Sequence, residues 1–399
     1  MTPAEKSIVP TFHIDDARMH RERLTRARAA LRRHGLAAAL LFDPINVRYA
    51  AAPGPFAVFN LHMSFRWALI PVESEPVLWE YPEAMHITAR RWPGDLRPAI
   101  GWTFFGSGLN TTDDAARFAA EIVDVLDERG LRSERLGVDR LETVGHLALA
   151  NAGVRIADAQ PALEQARAVK TADELTALRA NARVCDAAIM RLRGTLRPGI
   201  TENELWGTFI GAALKSGAEW CETRLLSSGP RTNPWMQEAT DRVVENGELV
   251  AFDTDLIGER GYLTDVSRTY LCGDRRATDE QRRLYQAAYA YLHGSVPEFR
   301  PGASFEELGH RLASRLPNEF HPLRYPFIAH GSGLIDEYPC VKFDKHHEGQ
   351  IEAGMVMSVE AYMGALGGSQ GVKLEEQIII GDDGPEMISK APHDERLLA

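Results

Sequence analysis

The stretch Ala251–Tyr270, AFDTDLIGERGYLTDVSRTY, sets three acids, Asp253, Asp255 and Asp265, into two runs that read as adjacent β-strands. Side chains alternate faces along a strand, so Asp253 and Asp255, two apart, are expected to point the same way. Gly258, Glu259, Arg260 and Gly261 carry turn chemistry, and a hairpin there returns Asp265 beside the first pair. Three carboxylates on one face repel one another unless a cation lies between them, and a divalent metal meets that need. The competing reading is a polar strand face whose acids simply point to water. The apolar company of Val250, Phe252, Leu256, Ile257 and Val266 weighs against it.

The 399 residues suffice for a large core and for two domains. A composition of 44% hydrophobic and 25% charged residues is that of an ordinary soluble protein. A net charge of -11 and a pI near 5.7 argue against nucleic acid or an anionic membrane as partner, because both select basic patches. A small cationic or zwitterionic substrate stays compatible with that charge. Cys185, Cys221, Cys272 and Cys340 are far apart and form no CxxC pair, so free thiols in a reducing cytoplasm are expected rather than disulfides or a zinc site. The first residues, MTPAEKSIVPTFHIDDARMH, lack the apolar run of a signal peptide, and no apolar stretch approaches membrane-spanning length. A cytoplasmic location is the expectation.

Outward from the central stretch, the N-terminal part alternates between the two kinds of periodicity. A helix is expected over Asp16–Arg33 and strands over Ala37–Phe42, Trp67–Val72 and Pro76–Tyr81. Asp43-Pro44 reads as a strand terminator, with Asn46–Ala51 leading into a loop. Helix Thr112–Arg129, strand Leu136–Asp139 and helix Glu142–Asn151 continue the alternation, which indicates a small α/β domain over residues 1–165. Near Ala166–Thr171 the pattern turns helical. Thr171 with Glu174, and Thr201 with Glu204, carry capping-box spacing. Strand-like runs follow at Glu222–Ser227, Leu249–Leu256 and Leu263–Leu271, then helices at Asp279–Val296 and Phe305–Leu316, then strands at Met355–Ala361 and Val372–Ile380. Two long helices, Arg-Pro-Gly, a shorter helix and strands occur twice, at Arg197-Pro198-Gly199 and at Arg300-Pro301-Gly302. That weak repeat predicts a domain of two related halves over residues 166–399.

The second half supplies the ligand types that the first lacks. His330 lies in AHGSGL, Glu360 in MVMSVEAY and Glu375 in GVKLEEQIII, and both glutamates sit in apolar β-rich runs where a solvated acid is out of place. Two aspartates, a histidine and two glutamates can hold two divalent metals and leave positions open for water or substrate. Each residue alone has a structural reading, as a core histidine or an ion-pair partner. The combination is far more specific.

In that order, with D-x-S-R-T, H-G-x-G and V-K-L-E-E around them, these residues resemble the pita-bread metallohydrolases: methionine aminopeptidase, aminopeptidase P, prolidase and creatinase. The first 160 residues resemble the creatinase-type N-terminal domain. The resemblance implies an α/β (α+β) fold, a homodimer, and Asp255, Asp265, His330, Glu360 and Glu375 as metal ligands. Several positions depart from the peptidase pattern. Asp255 and Asp265 are ten apart where the peptidases have eleven, and Asp253 precedes them. Trp235, Pro326 and Glu337 stand where the peptidases carry histidines that handle the peptide. Those departures, with F-D-T-D-L-I-G, the run Glu222–Glu238 and H-G-x-G-L-x-D-E, resemble one branch, the dimethylsulfoniopropionate (DMSP) lyases. That likeness implies Asp253 as a sixth ligand, Asp336 as catalytic base, Tyr325 and Trp235 as substrate-facing aromatics, and iron as the metal, with manganese or zinc as alternatives. Phe59 stands where the lyases carry a tryptophan that boxes the sulfonium, and phenylalanine is the weaker cation–π partner. The expected activity is β-elimination from DMSP or a similar zwitterionic carboxylate. A metal-dependent hydrolase of the Xaa-Pro peptidase or creatinase type is the alternative, and a binding module without metal is a third reading.

Two further motifs have plainer readings. Gly367-Gly368-Ser369-Gln370-Gly371 matches G-x-S-x-G, but a strand follows it where a nucleophile elbow requires a helix, so a glycine turn is expected. His346-His347 reads as a solvated loop pair.

Overall fold

The computed structural model describes residues 12–399 other than 53, 55, 56 and 346, and it divides into two compact units, residues 15–167 and a second built on 168–399. In the first, six strands lie in the order Asp95–Pro98, Val77–Glu80, Trp67–Pro71, Ala38–Leu41, Arg135–Val138, Arg155–Asp158. Ala38–Leu41 runs antiparallel to Trp67–Pro71 and parallel to Arg135–Val138. The three strands Ala38–Leu41, Trp67–Pro71 and Val77–Glu80 are buried along their whole length, as a sheet covered on both faces requires. Helix Thr111–Glu128 buries Ala115, Phe118, Ala119, Ile122, Val125 and Leu126, a helical stripe, and Phe118 packs its ring 4.1 Å from that of Trp102.

The segment after the first strand corrects an expectation. Pro44–Ala51 is a helix, with Asp43 as its N-cap accepting from the Ile45 N–H. Proline is at home in the first turn of a helix, where its missing N–H has no intrahelical partner to lose, so Asp43-Pro44 starts a helix instead of ending a strand in a loop. Asp139, at the end of the neighbouring strand, accepts from the Phe42 N–H at 2.7 Å and from Asn46 at 3.0 Å and ties the helix start to the sheet.

The second unit contains the two expected halves. Each has one long helix rather than two before its Arg-Pro-Gly: Ala172–Thr195 in the first and Asp279–Ser295 in the second. The likeness extends to single hydrogen bonds. Gly199 N donates to Val244 O at 2.9 Å and Gly302 N to Ile351 O at 2.8 Å; Val244 N returns a bond to Ile200 O and Ile351 N to Ala303 O, both at 2.8 Å. Thr201 then caps helix Glu202–Lys215, and Ser304 caps Phe305–Ala313. Both glycines have φ near +90°, where a side chain is strained. The predicted capping boxes at Thr171 and Thr201 both form, and a third forms at Thr278.

Strands of the first half make two small sheets, Arg268–Leu271, Leu249–Phe252, Leu226–Ser228 and Leu263–Thr264, Leu256–Ile257, Trp220–Cys221. Those of the second half make a five-stranded sheet in the order Asp336–Lys342, Phe327–Ser332, Val356–Met363, Val372–Gly381, Gly384–Met387. The halves meet where the Thr269 hydroxyl donates to Lys373 O at 2.8 Å and Glu375 N donates to Ser267 O at 3.2 Å. Gly367–Gly371 lies in the connection that leads into Val372–Gly381, a turn as expected. Of the two loop histidines, His347 is exposed and His346 lies outside the described residues.

One buried ion pair fastens this unit internally. Lys170 Nζ meets Glu337 Oε1 at 2.6 Å, with the two side chains at most 1% exposed. Truncating one partner of such a pair leaves an uncompensated buried charge. Lys170→Met is therefore expected to lower stability by about 3–5 kcal/mol in equilibrium denaturation, and Lys170→Met with Glu337→Gln to recover much of it.

Candidate metal centre

The central stretch is not one plain hairpin. Strand Leu249–Phe252 ends before Asp253, Asp255 has φ of 36°, and Leu256–Ile257 belongs to a different sheet, so the alternation expected to align Asp253 with Asp255 does not apply. The interruption of the strand after Phe252 performs that task instead. Thr254 points inward between them, its hydroxyl donating to Thr264 O and accepting from Val266 N, both at 3.0 Å. That bridge holds Asp253, Asp255 and Asp265 together with ligand oxygens within 4.8 Å of one another. The turn is held from outside: Asn181 donates to Glu259 O and Tyr262 O at 3.1 Å, and a Cβ on Gly258 would overlap the Asn181 amide.

The second half completes the group. Asp265, His330 and Glu375 form another trio within 4.8 Å, so Asp265 is common to both. His330 Nε2 lies 3.3 Å from Asp265 Oδ2 and 3.3 Å from Glu360 Oε1. Glu360 and Glu375 face each other across adjacent strands. The structure thus brings together all six sequence candidates for the metal position. Two side chains at the centre had no role in the sequence reading. Thr223 donates to Asp255 Oδ2, and Lys373 Nζ reaches Glu360 Oε2 at 2.7 Å, Ser267 Oγ at 2.9 Å, Glu375 Oε2 at 3.1 Å and Asp253 Oδ2 at 3.3 Å. Lys373 stands two residues before Glu375 on one strand, which is the spacing of a shared face and was the signal available for it.

The electrostatics call for cations. Five buried carboxylates, Asp253, Asp255, Asp265, Glu360 and Glu375, gather beside one ammonium, that of Lys373, which reaches Asp253, Glu360 and Glu375. Burial, then the charge of Asp253, raises the Asp265 carboxyl to about 7 and pushes Asp255 well above its ordinary range. Burial and Asp265 raise Glu375 likewise. His330 is raised against the opposing effect of burial by Asp336, Asp265 and Glu360. Lys373 takes Asp253 Oδ2, Glu360 Oε2 and Glu375 Oε2, while Asp265 Oδ1, Glu360 Oε1 and Glu375 Oε1 are buried without a hydrogen-bond partner. Oxygens left bare beside a neutral-capable imidazole, and four negative charges in excess of Lys373, suit two divalent ions of the oxygen-preferring kind. Binding them would displace the protons that the raised carboxyls otherwise hold.

The remaining candidates border this group or lie elsewhere. Asp336 opens strand Asp336–Lys342 with its side chain 54% exposed and Oδ1 3.4 Å from His330 Nδ1, on the side of the imidazole away from the carboxylates. Desolvation beside the neighbouring acids, opposed by the charge of His330, raises the Asp336 carboxyl above its ordinary value. Tyr325 lays its ring 5.0 Å from Lys373 Nζ and packs in a small cluster with Trp235, Leu225 and Tyr362. Trp235 is 7% exposed. Phe59 belongs to the N-terminal unit, where it is 46% exposed and stacks on Phe65 with 5.9 Å between ring centres.

Comparison with known proteins adds independent findings. The model of metallopeptidase family M24 matches residues 176–382, and that of the creatinase/prolidase N-terminal domain matches residues 23–169. The dimethylsulfoniopropionate lyase DddP of Roseovarius nubinhibens is 32% identical over 401 residues, covering 96% of this chain and 88% of the relative. The enzyme of the same name from Roseobacter denitrificans is 33% identical over 395 residues, with the same coverage of 96% and 88%. Among solved structures, the Xaa-Pro dipeptidase from Bacillus anthracis superposes with a TM-score of 0.78 at 22% identity, over 94% of this chain and 99% of that one. A prolidase from Thermococcus sibiricus gives 0.79 at 20% identity, over 94% and 98%. At those identities the structures speak for the fold.

Proposed function

The chain belongs to metallopeptidase family M24, in the branch of the dimethylsulfoniopropionate lyases, and on that premise we propose that it is a dinuclear-metal lyase cleaving DMSP, or a closely similar zwitterionic carboxylate, to dimethyl sulfide and acrylate. The observation that carries this reading is the placement of Asp336. It lies 3.4 Å from His330 Nδ1, on the side of the imidazole turned away from the carboxylates, and half of its side chain is exposed.

Two divalent ions, when bound by Asp253, Asp255, Asp265, His330, Glu360 and Glu375, supply positive charge that stabilises a substrate carboxylate as its α-carbon is deprotonated. Iron is the metal proposed, since a carboxylate-rich set suits iron or manganese better than zinc. Asp336 takes the α-proton. The electron pair of the broken C–H bond becomes the new C=C bond, and the C–S pair departs with dimethyl sulfide. Lys373 holds Asp253, Glu360 and Glu375 in place through the reaction, and Tyr325 and Trp235, which pack in one cluster beside the centre, are the aromatics proposed to meet a sulfonium. Four free cysteines accord with work in a reducing cytoplasm.

Hydrolysis of Xaa-Pro peptides by the same centre would need groups that shuttle protons at the peptide nitrogen. Trp235 and Pro326 carry none, and Glu337 is committed to Lys170. A panel of Xaa-Pro dipeptides is accordingly expected to turn over at background rate with protein that is active on DMSP. Vigorous release of proline would instead favour the hydrolase.

A further inference from the structure

Strand Val372–Gly381 presents Glu375 to the acid-rich centre and, one residue on, Glu376 to the opposite face, against helix Asp279–Ser295 and the C-terminal segment. There a second convergence of ligand atoms occurs. His293, Glu376 and His393 hold a nitrogen or oxygen each within 4.8 Å of the other two. His393 Nε2 lies 3.2 Å from His293 Nε2 and 3.0 Å from Glu376 Oε1.

Hydrogen bonding among these groups leaves the arrangement incomplete. The one hydrogen that His393 Nε2 can carry serves Glu376 or His293, not both, and two imidazole nitrogens facing each other need a proton or a cation between them. Arg268 donates to Glu376 Oε1 at 2.8 Å, which leaves Glu376 Oε2 buried with no hydrogen-bond partner in a residue 3% exposed. The ring of His393 is oriented from behind: Tyr285 OH, which accepts from Asp394 N at 2.9 Å, lies 3.4 Å from its Nδ1, so Nε2 is the nitrogen turned toward the other two groups. Tyr289 packs on both imidazoles, with ring centres 4.1 Å from His293 and 5.0 Å from His393. A hydrogen-bonded partner at the far nitrogen is how metal-binding imidazoles are commonly held.

We infer that His293, His393 and Glu376 form a separate mononuclear site for a nitrogen-preferring divalent ion of the zinc class, back to back with the acid-rich centre across one strand. Two imidazoles and one carboxylate, with the fourth position left to water, match zinc or cobalt. Calcium, magnesium and manganese want several oxygens and find only one carboxylate here, already neutralised by Arg268. The ion would join three separate stretches: helix Asp279–Ser295, strand Val372–Gly381, and the terminal segment whose Leu397 enters the core.

The test uses the full chain with its acid-rich centre disabled by Asp265→Asn and His330→Asn, loaded with Co2+ and dialysed. About one Co2+ per chain should remain, with the visible ligand-field absorption of a four-coordinate ion, and about one equivalent of Zn2+ should bleach it. Adding His293→Gln should abolish both the retained ion and the absorption, and Mn2+ should not be retained at all. Absence of Co2+ binding while His293 is intact would overturn the inference, as would binding that His293→Gln leaves unchanged. Should the disabled chain not fold, Co2+ titration of the otherwise unsubstituted protein with and without His293→Gln decides the matter: one equivalent fewer supports the site, and equal stoichiometry overturns it. These readouts are metal counts and spectra, so they stand whether or not the chain proves to be a lyase.

Discussion

Asp336→Asn is expected to lower kcat on DMSP by about 10²- to 10⁴-fold while the content of bound metal stays at the wild-type level. The substitution keeps the shape and hydrogen-bonding reach of the side chain and removes the basic oxygen. Asp336 is the first residue of its strand and its side chain is 54% exposed, so the amide is expected to fold in its place, and its 3.4 Å approach to His330 Nδ1 makes metal content the necessary control. Surface changes of this kind usually alter stability by no more than about 0.5 kcal/mol, and an unchanged Tm would separate lost chemistry from lost structure. A hydrolase whose nucleophile is metal-bound hydroxide would tolerate the change. If kcat holds within about threefold, Asp336 is not the base and the elimination has lost its proton acceptor.

Asp265→Asn should remove activity altogether and take both metal ions with it, whereas Asp255→Asn should remove about one. The difference follows from geometry, since Asp265 alone is common to both ligand trios. A carboxamide offers a weaker oxygen ligand and no charge, so both trios would lose their shared carboxylate at once. The same substitution has an opposite effect on the metal-free chain. Burial and Asp253 hold the Asp265 carboxyl at about 7. Stability is therefore lost as pH rises from the ordinary carboxylate value of 3.8 to about 7 and stays at the lower level above it, because over that range the folded state holds a proton that the unfolded state has released. Metal-free Asp265→Asn should therefore be more stable than the metal-free parent at pH 8, and more so than at pH 5, in equilibrium denaturation with chelator present. Loss of metal together with loss of stability at both values would show that Asp265 is structural.

Much of this centre was legible in the sequence because its acids occupy places where solvated acids do not. Glu360 and Glu375 lie in fully buried strands, and a carboxylate there requires a partner. What could not be read was how the chain delivers Asp253 and Asp255 to the same point. Strand alternation was the natural guess, yet the structure breaks the strand between them and uses the Thr254 hydroxyl as the brace, which is a tertiary contact with no period to betray it. Strands Phe327–Ser332 and Asp336–Lys342, which carry His330 and Asp336, left little signal either, since Pro326, Gly331, Gly333 and Pro339 dilute β-propensity. Asp43-Pro44 is ambiguous between the end of a strand and the start of a helix, and the decision came from Asp139, nearly a hundred residues away. Lys373 was visible as a charge within an apolar strand, but its role depends on four groups from three separate stretches.

The most direct measurement is of products. Protein loaded with Fe2+ or Mn2+ is incubated with DMSP, and dimethyl sulfide in the headspace and acrylate in solution are quantified alongside proline release from a panel of Xaa-Pro dipeptides. The β-elimination account predicts dimethyl sulfide and acrylate in equal amounts, dependent on the metal, with proline at background; proline release without dimethyl sulfide would contradict it.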